Sequence, residues 1–221
     1  MGRSGMPQDM EPLFTDEEEL EGKSLPDAIA SSDGEISDLE FSGDALEGFQ
    51  DHVEFERCSF HHVSFAGTEW ARASFEQCCL SSCDFSNAHM PKSFWRDCQL
   101  TDCRLVGADM HESYMERVRF KDTLLSYANL SGSKLSRIRF ASCALDEASL
   151  DHLKLRKLAL EGCDLTRAEL FGTLLKGIDL STSKIEGIRV SDRYEELKGT
   201  KISLDQAPLI LGLLGIQIAD L

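Results

Sequence analysis

The chain has 221 residues, 42% of them apolar, with a formal net charge of −16 and eight cysteines. That length accommodates one or two domains with an ample core. No window approaches the roughly 18 apolar residues of a membrane span, and the first residues lack an apolar signal core, so the expected location is the cytoplasm.

Charge is placed unevenly along the chain. Residues 1–54 hold 16 acidic and 2 basic residues, a net of −14, whereas residues 55–221 hold 23 and 21, a net of −2. The run Asp16-Glu17-Glu18-Glu19, with Pro7, Pro12 and Pro26 around it, cannot bury a core, and residues 1–35 read as an acidic, disordered leader. Leu13, Phe14 and Leu20 stand isolated among those acids and fit either a short docking motif or a solvated tail. Between Ile36 and Phe49 lies a partial repeat out of phase with residues 53–190, so residues 36–52 are expected to form an irregular N-terminal cap.

From Phe55 to Val190 every fifth residue is large and apolar, for 28 consecutive units. A helix advances about 100° per residue, so this period would spiral apolar residues around its axis instead of stacking them. The residue two before each large one is small or aliphatic and never charged, as in Val53, Cys58, Val63, Thr68 and Ala73. Positions two apart share a face of an extended segment. Each unit is therefore one short extended side followed by a corner. The glycines between Phe55 and Val190 all lie two residues after a large one, as at Gly67, Gly107 and Gly132, where a tight corner would call for positive φ.

Stretches such as Ala-Asn-Leu-Ser-Gly at 128–132 and Cys-Asp-Leu-Thr-Arg at 163–167 resemble the A(D/N)LXX signature of pentapeptide-repeat proteins. The resemblance implies an all-β solenoid over residues 53–190: a right-handed quadrilateral parallel β-helix with four units per coil. Twenty-eight units would then make seven coils, a rod of roughly 34 Å at about 4.8 Å per coil.

Seven cysteines, Cys58, Cys78, Cys83, Cys98, Cys103, Cys143 and Cys163, occupy the small inward position and read as small hydrophobes, not as a disulfide or zinc framework. Cys79 points outward, as do the adjacent His61 and His62, which cannot make a metal site by themselves. No cofactor or metal is expected.

With four units per coil, residues 20 apart share a face. On the face through Phe55, Phe75, Trp95, Met115, Leu135, Leu155 and Leu175, outward charge climbs toward the C-terminus. Its basic end comprises Lys134, Arg137, Lys154, Arg156, Lys157 and Lys176, with Arg119, Lys121 and Arg139 on the neighbouring face. Such a stripe can bind phosphate backbones or an acidic protein surface, receive the acidic leader, or simply be solvated. Phe94 and Tyr114 point outward on the same face, 20 residues apart, and are candidate contact residues.

After Val190 the register ends, and residues 191–221 form a separate C-terminal segment. Asp205 suits a helix N-cap, Pro208 the first turn and Gly215 the stop. A helix of about ten residues that is apolar nearly all round must be buried, either plugging the solenoid or pairing with a second copy through Leu209, Ile210, Leu213 and Leu214. Leu-Lys-Gly at 197–199, Asp-Gln-Ala at 205–207 and Leu-Leu-Gly-Ile at 213–216 resemble the end of Qnr- and MfpA-type pentapeptide-repeat proteins, which implies a homodimer formed there.

That resemblance also implies a partner, a bacterial type II topoisomerase (DNA gyrase or topoisomerase IV), bound by imitating DNA in shape and charge and so protected from quinolones. A rod about as wide as a duplex suits a DNA-binding saddle. The 28 unbroken units lack the loops of Qnr-type members, as MfpA-type members do. Mimicry needs phosphate-like negative charge, which the sequence assigns to the leader and not to the nearly neutral rod. The alternative is a generic adaptor that binds another protein through its flat faces and tail. Direct nucleic-acid binding would bring steep salt dependence and is not the expected mode. Catalysis is not expected either, because a convex rod offers no pocket and the chain carries no GxSxG, phosphate loop or glycine-rich nucleotide motif.

Overall fold

A computed structural model describes residues 24–217 and residue 219. The run Asp16 to Glu19 and the apolar Leu13, Phe14 and Leu20 lie outside the described residues. Along the chain come α1 (Leu25–Ser31), β1 (Glu35–Ser37), β2 (Glu40–Ser42), β3 (Phe49–Asp51), β4 (Glu54–Glu56), β5 (Ser59–His61), β6 (Glu69–Ala71), β7 (Ser74–Glu76) and β8 (Cys79–Ser81). They are followed by β9 (Phe94–Arg96), β10 (Gln99–Thr101), β11 (Tyr114–Glu116), β12 (Arg119–Lys121), β13 (Lys134–Ala141), β14 (Lys154–Glu161), a 3-10 turn (Glu195–Leu197) and α2 (Ala207–Leu213). Among the described residues no helix is long and apolar enough to cross a membrane.

All strand pairs are parallel, and the fold is a right-handed parallel β-solenoid. One face is the ladder β1-β4-β7-β9-β11-β13-β14, whose register stacks Ile36, Phe55, Phe75, Trp95, Met115, Leu135 and Leu155. The adjacent face is β2-β5-β8-β10-β12. β13 and β14 run on around the corner and join the two faces into one sheet. The other two sides are held by β3-β6 and by single bridges such as Ser64 to Asp84 and Asn129 to Ser149.

The inward positions are buried as the period requires. Phe55, Phe60, Phe65, Phe75 and Phe85 are fully enclosed, and Phe75 stacks on Trp95 with ring centroids 4.2 Å apart and planes 10° from parallel. The small inward residues sit beside them, and their hydroxyls satisfy what the large ones cannot. Trp70 Nε1 donates to Thr68 Oγ1 at 2.7 Å, and Trp95 Nε1 donates to Ser93 Oγ at 2.9 Å, so neither indole N–H is stranded in the core.

The corners extend beyond what glycine marks in the sequence. From Arg57 to Gly177 the residue two after each large one has positive φ at every unit, from 51° at Asp122 to 80° at Gly177, and most of these residues are not glycine. A left-handed conformation costs a side-chain-bearing residue about 1–2 kcal/mol. It is held because the corner N–H donates to a carbonyl of the next coil, as from Arg57 to Glu76 at 2.9 Å and from His62 to Ser81 at 3.0 Å.

The N-terminal boundary differs from the sequence expectation. Inside the stretch expected to be a disordered leader, α1 covers the open end of the rod with Leu25 and Ala28 buried, and Leu25 N–H donates to Asp44 at 3.1 Å. Residues 36–52, expected as an irregular cap, form a paired coil. β1 and β2 pair with residues 19 further on, whereas β3 pairs with residues 20 further on. One residue is missing between the core positions Leu46 and Gln50, which puts Phe49 outside, 63% exposed. A single deletion at a corner explains the phase break.

Candidate functional site

The face through β1, β4, β7, β9, β11, β13 and β14 presents its outward side chains in straight columns, because each strand pairs with the next without slip. One column runs Glu35, Glu54, Ser74, Phe94, Tyr114, Lys134, Lys154. The next runs Ser37, Glu56, Glu76, Arg96, Glu116, Ser136, Arg156. Both begin acidic and end basic.

On this face, in the N-terminal and middle coils, each arginine finds an acid one coil below. Arg57 is bidentate to Asp38, with both contacts at 2.7 Å, and this guanidinium holds the Asp38 carboxyl below its ordinary range. Arg96 pairs with Glu76, Arg117 with Asp97, and Arg137 with Glu116 at 3.2 Å. Beyond Glu116 this face carries no acid to continue the pattern. Lys134, Lys154, Arg156, Lys157 and Lys176 form no ion pair among the described residues, and all five are exposed. On the neighbouring face Arg139 meets Glu161 at 2.6 Å and Lys121 meets Asp122 at 3.8 Å. The pairing of β13 with β14 sets Lys134 beside Lys154 and Ser136 beside Arg156, with Arg137 at the paired edge, while Lys176 lies on the following coil.

The location of the acid is corrected by the fold. Between residues 24 and 54, all described, lie Asp27, Asp33, Glu35, Asp38, Glu40, Asp44, Glu47, Asp51 and Glu54, with no lysine or arginine. This part of the acidity belongs to the folded end of the rod and not to a leader. Phe94, half-buried, and Tyr114, 37% exposed, stack at 5.4 Å with planes 4° apart, midway between the acidic and basic ends.

The C-terminal segment closes the other end. Leu175 N–H donates to Glu196 O and Leu180 N–H to Lys201 O, both at 2.9 Å. The Glu196 carboxylate, 2% exposed, accepts from Gly172 N–H at 2.8 Å and from Ser191 Oγ at 2.9 Å. Burial alone would raise its pKa; these bonds outweigh it and hold the carboxyl below its ordinary value. Gln206 Nε2 donates to the carbonyls of Leu180 and Ser183 at 2.8 and 2.6 Å. Gln206, not Asp205, is the N-cap residue of α2, its amide being committed to the last coil. Leu209, Ile210 and Leu213 pack against the core, while Leu214 is 45% exposed beside Ile216 at 50%. The sequence missed Glu196 and Gln206, whose polar side chains after the register ends give no pattern to read.

The seven inward cysteines are buried and unpaired. Their thiols donate to carbonyls, as Cys98 does to Phe75 O at 3.2 Å. A hydrogen bond with Cys78, together with burial, pushes the Cys58 thiol far up. Cys79 is half-buried, and burial raises its pKa also.

The family profile described as a pentapeptide repeat region matches residues 52–130 and 73–150, and that of pentapeptide repeats in eight copies matches residues 143–181. Comparison with curated proteins finds no match. Among solved structures, QnrB1, a plasmid-mediated fluoroquinolone resistance protein, is 18% identical over 83% of this chain and 100% of its own, with a TM-score of 0.40. HetL, a pentapeptide-repeat protein involved in heterocyst differentiation regulation in Nostoc sp. strain PCC 7120, is 18% identical over 75% of this chain and 86% of its own, with a TM-score of 0.39. Rfr23 from Cyanothece 51142 is 17% identical over 59% of this chain and 91% of its own, with a TM-score of 0.29. With repeat-profile matches running from residue 52 to residue 181 and the coil geometry they describe present throughout, the chain belongs to the pentapeptide-repeat family.

Proposed function

We propose that this protein is a non-catalytic binding rod that engages a bacterial type II topoisomerase in place of a duplex. The observation that carries this reading is the folded acidic end: nine carboxylates and no lysine or arginine between residues 24 and 54, six of them (Glu35, Asp38, Glu40, Asp44, Glu47 and Asp51) on the first coil, which is fixed by pairing to the coil above. A mimic must present negative charge at set positions, since charge on a solvated tail would have to be ordered on binding at an entropic cost. Acids stacked at about 4.8 Å on a rigid rod meet that need. The C-terminal segment, with its Leu-Lys-Gly and Asp-Gln-Ala stretches, resembles topoisomerase-binding members of the family.

The test is a DNA gyrase supercoiling and quinolone-cleavage assay with purified full-length protein. Altered supercoiling, or relief of drug-stabilised cleavage at micromolar concentration, supports the reading. No effect on several bacterial gyrases refutes it.

A second reading, an adaptor for another protein, is favoured by the basic stripe, whose five cations without an ion pair among the described residues suit an acidic surface. Capture of a partner that is lost on reversing Lys154 and Arg156, with gyrase unaffected, would decide for it.

A further inference from the structure

The face from β1 to β14 carries opposite signs at its two ends, and their arrangement is symmetric. Counting by core residue, the outward charge is negative at the Ile36, Phe55 and Phe75 levels, zero at Trp95 and Met115, and positive at Leu135, Leu155 and Leu175. A two-fold axis lying in the plane of the interface and perpendicular to the rod, level with the gap between Trp95 and Met115, carries every negative level onto a positive one and each outward column onto itself. The aromatic pair Phe94 and Tyr114 lies at that axis, on the two neutral levels.

We infer that this face is an interface between two copies of the chain, packed side by side and antiparallel. Glu54 and Glu56 of one copy face Lys154 and Arg156 of the other, and the reciprocal contact forms at the opposite end. Such an interface is isologous, so it closes at a dimer. At its centre each copy sets its stacked aromatic pair against the other's, which supplies a desolvated apolar core inside a charged rim. It also accounts for the like-charge column: Lys134 and Lys154 stand in register with no acid beside them among the described residues of their own chain, and a second copy brings those acids. The leader is the rival occupant. It could offset the basic half, but it would leave the acidic half and the aromatic centre uncovered.

The inference stands apart from the topoisomerase reading, though it fits it. Pairing covers the basic stripe and leaves outward the carboxylates on the other sides of the first coil, such as the exposed Glu47 and Asp51.

Zero-length carbodiimide cross-linking of the full-length protein, followed by peptide mapping, tests the arrangement directly. Glu54 and Lys154 are five coils apart in one chain, about 24 Å, so a bond between them must join two copies. The inference predicts this cross-link, and sedimentation at about twice the chain mass of 24.6 kDa in low salt, with dissociation as salt rises. It further predicts that K154E/R156E and E54K/E56K are each monomeric alone, with dissociation constants raised at least about tenfold, and that an equimolar mixture recovers the dimer because both contacts are then complementary. Several outcomes overturn it: a monomeric wild type at about 100 μM, cross-links from Lys154 to Asp16–Glu19 instead of Glu54, or a dimer lost only when residues 207–221 are removed. If the reversed variants fail to fold, the wild-type cross-link map still decides.

Discussion

Lys134 and Lys154 are direct partners on adjacent parallel strands, one coil apart, and among the described residues neither has a carboxylate in contact. Elsewhere on this face the coil below supplies the counter-charge, as Asp38 does for Arg57. The described residues of one chain therefore leave a repulsion here that they do not relieve.

Replacing Lys154 by Gln should stabilise the isolated chain by about 0.2–1 kcal/mol, the scale of directly opposed like charges. Urea unfolding at protein concentrations low enough to keep the chain monomeric would show it. The gain should shrink in 0.5 M salt as screening removes the repulsion. A lower midpoint for K154Q in low salt would mean that Lys154 has a stabilising partner.

Glu196 should contribute a pH-dependent part of the stability. Its folded pKa lies below the ordinary glutamate value of 4.5. The contribution is therefore complete above pH 4.5 and disappears as pH falls through the lower, folded value. E196Q, which keeps the shape but loses the charge-assisted acceptor, should cost about 1–3 kcal/mol at pH 7, with the difference narrowing as pH falls below 4.5 toward the lowered folded value. Unfolding curves for both proteins from pH 3 to 7 would measure this, and a constant gap would contradict it.

Two glycines of the first coil should respond differently to alanine. A Cβ on Gly34 would land on the backbone carbonyl oxygen of His52, whereas a Cβ on Gly48 meets nothing within 4 Å. Both have positive φ. G48A should cost only the conformational penalty of about 1–2 kcal/mol. G34A should cost clearly more, since backbone must move. Thermal unfolding of the pair would rank them.

Phe75 is enclosed between Phe55 and Trp95, with ring centroids at 5.1 and 4.2 Å. F75A should destabilise by about 3–5 kcal/mol. In a solenoid each coil contacts only its neighbours, so the loss should appear as a separate early transition in calorimetry. A single cooperative transition would indicate coupling beyond adjacent coils.

The rod itself is legible in the sequence because one side chain in five must be large and inward at every turn, and Phe55 through Val190 keep that beat without interruption. The corner is visible only through glycine; the left-handed φ of Arg57 or Asp97 is imposed by ladder hydrogen bonds that no residue type announces. The first coil is hidden for a similar reason. A one-residue deletion before Gln50 shifts the phase of Ile36 and Phe41, so a folded acidic coil reads as an irregular cap. The basic stripe emerges from the 20-residue spacing. The closure by Glu196 and Gln206 depends on single polar side chains meeting a coil end, and sequence pattern carries no trace of it.

The central claim is that folded acid on the first coil, not the leader, engages a topoisomerase. The most direct measurement compares, in one gyrase supercoiling assay, the full chain, a chain lacking residues 1–23, and a full chain with Asp44, Glu47 and Asp51 changed to Asn, Gln and Asn. The account predicts that the truncated chain retains the effect and that the neutralised chain loses at least about tenfold in potency. An effect that vanishes on truncation and survives neutralisation would contradict it.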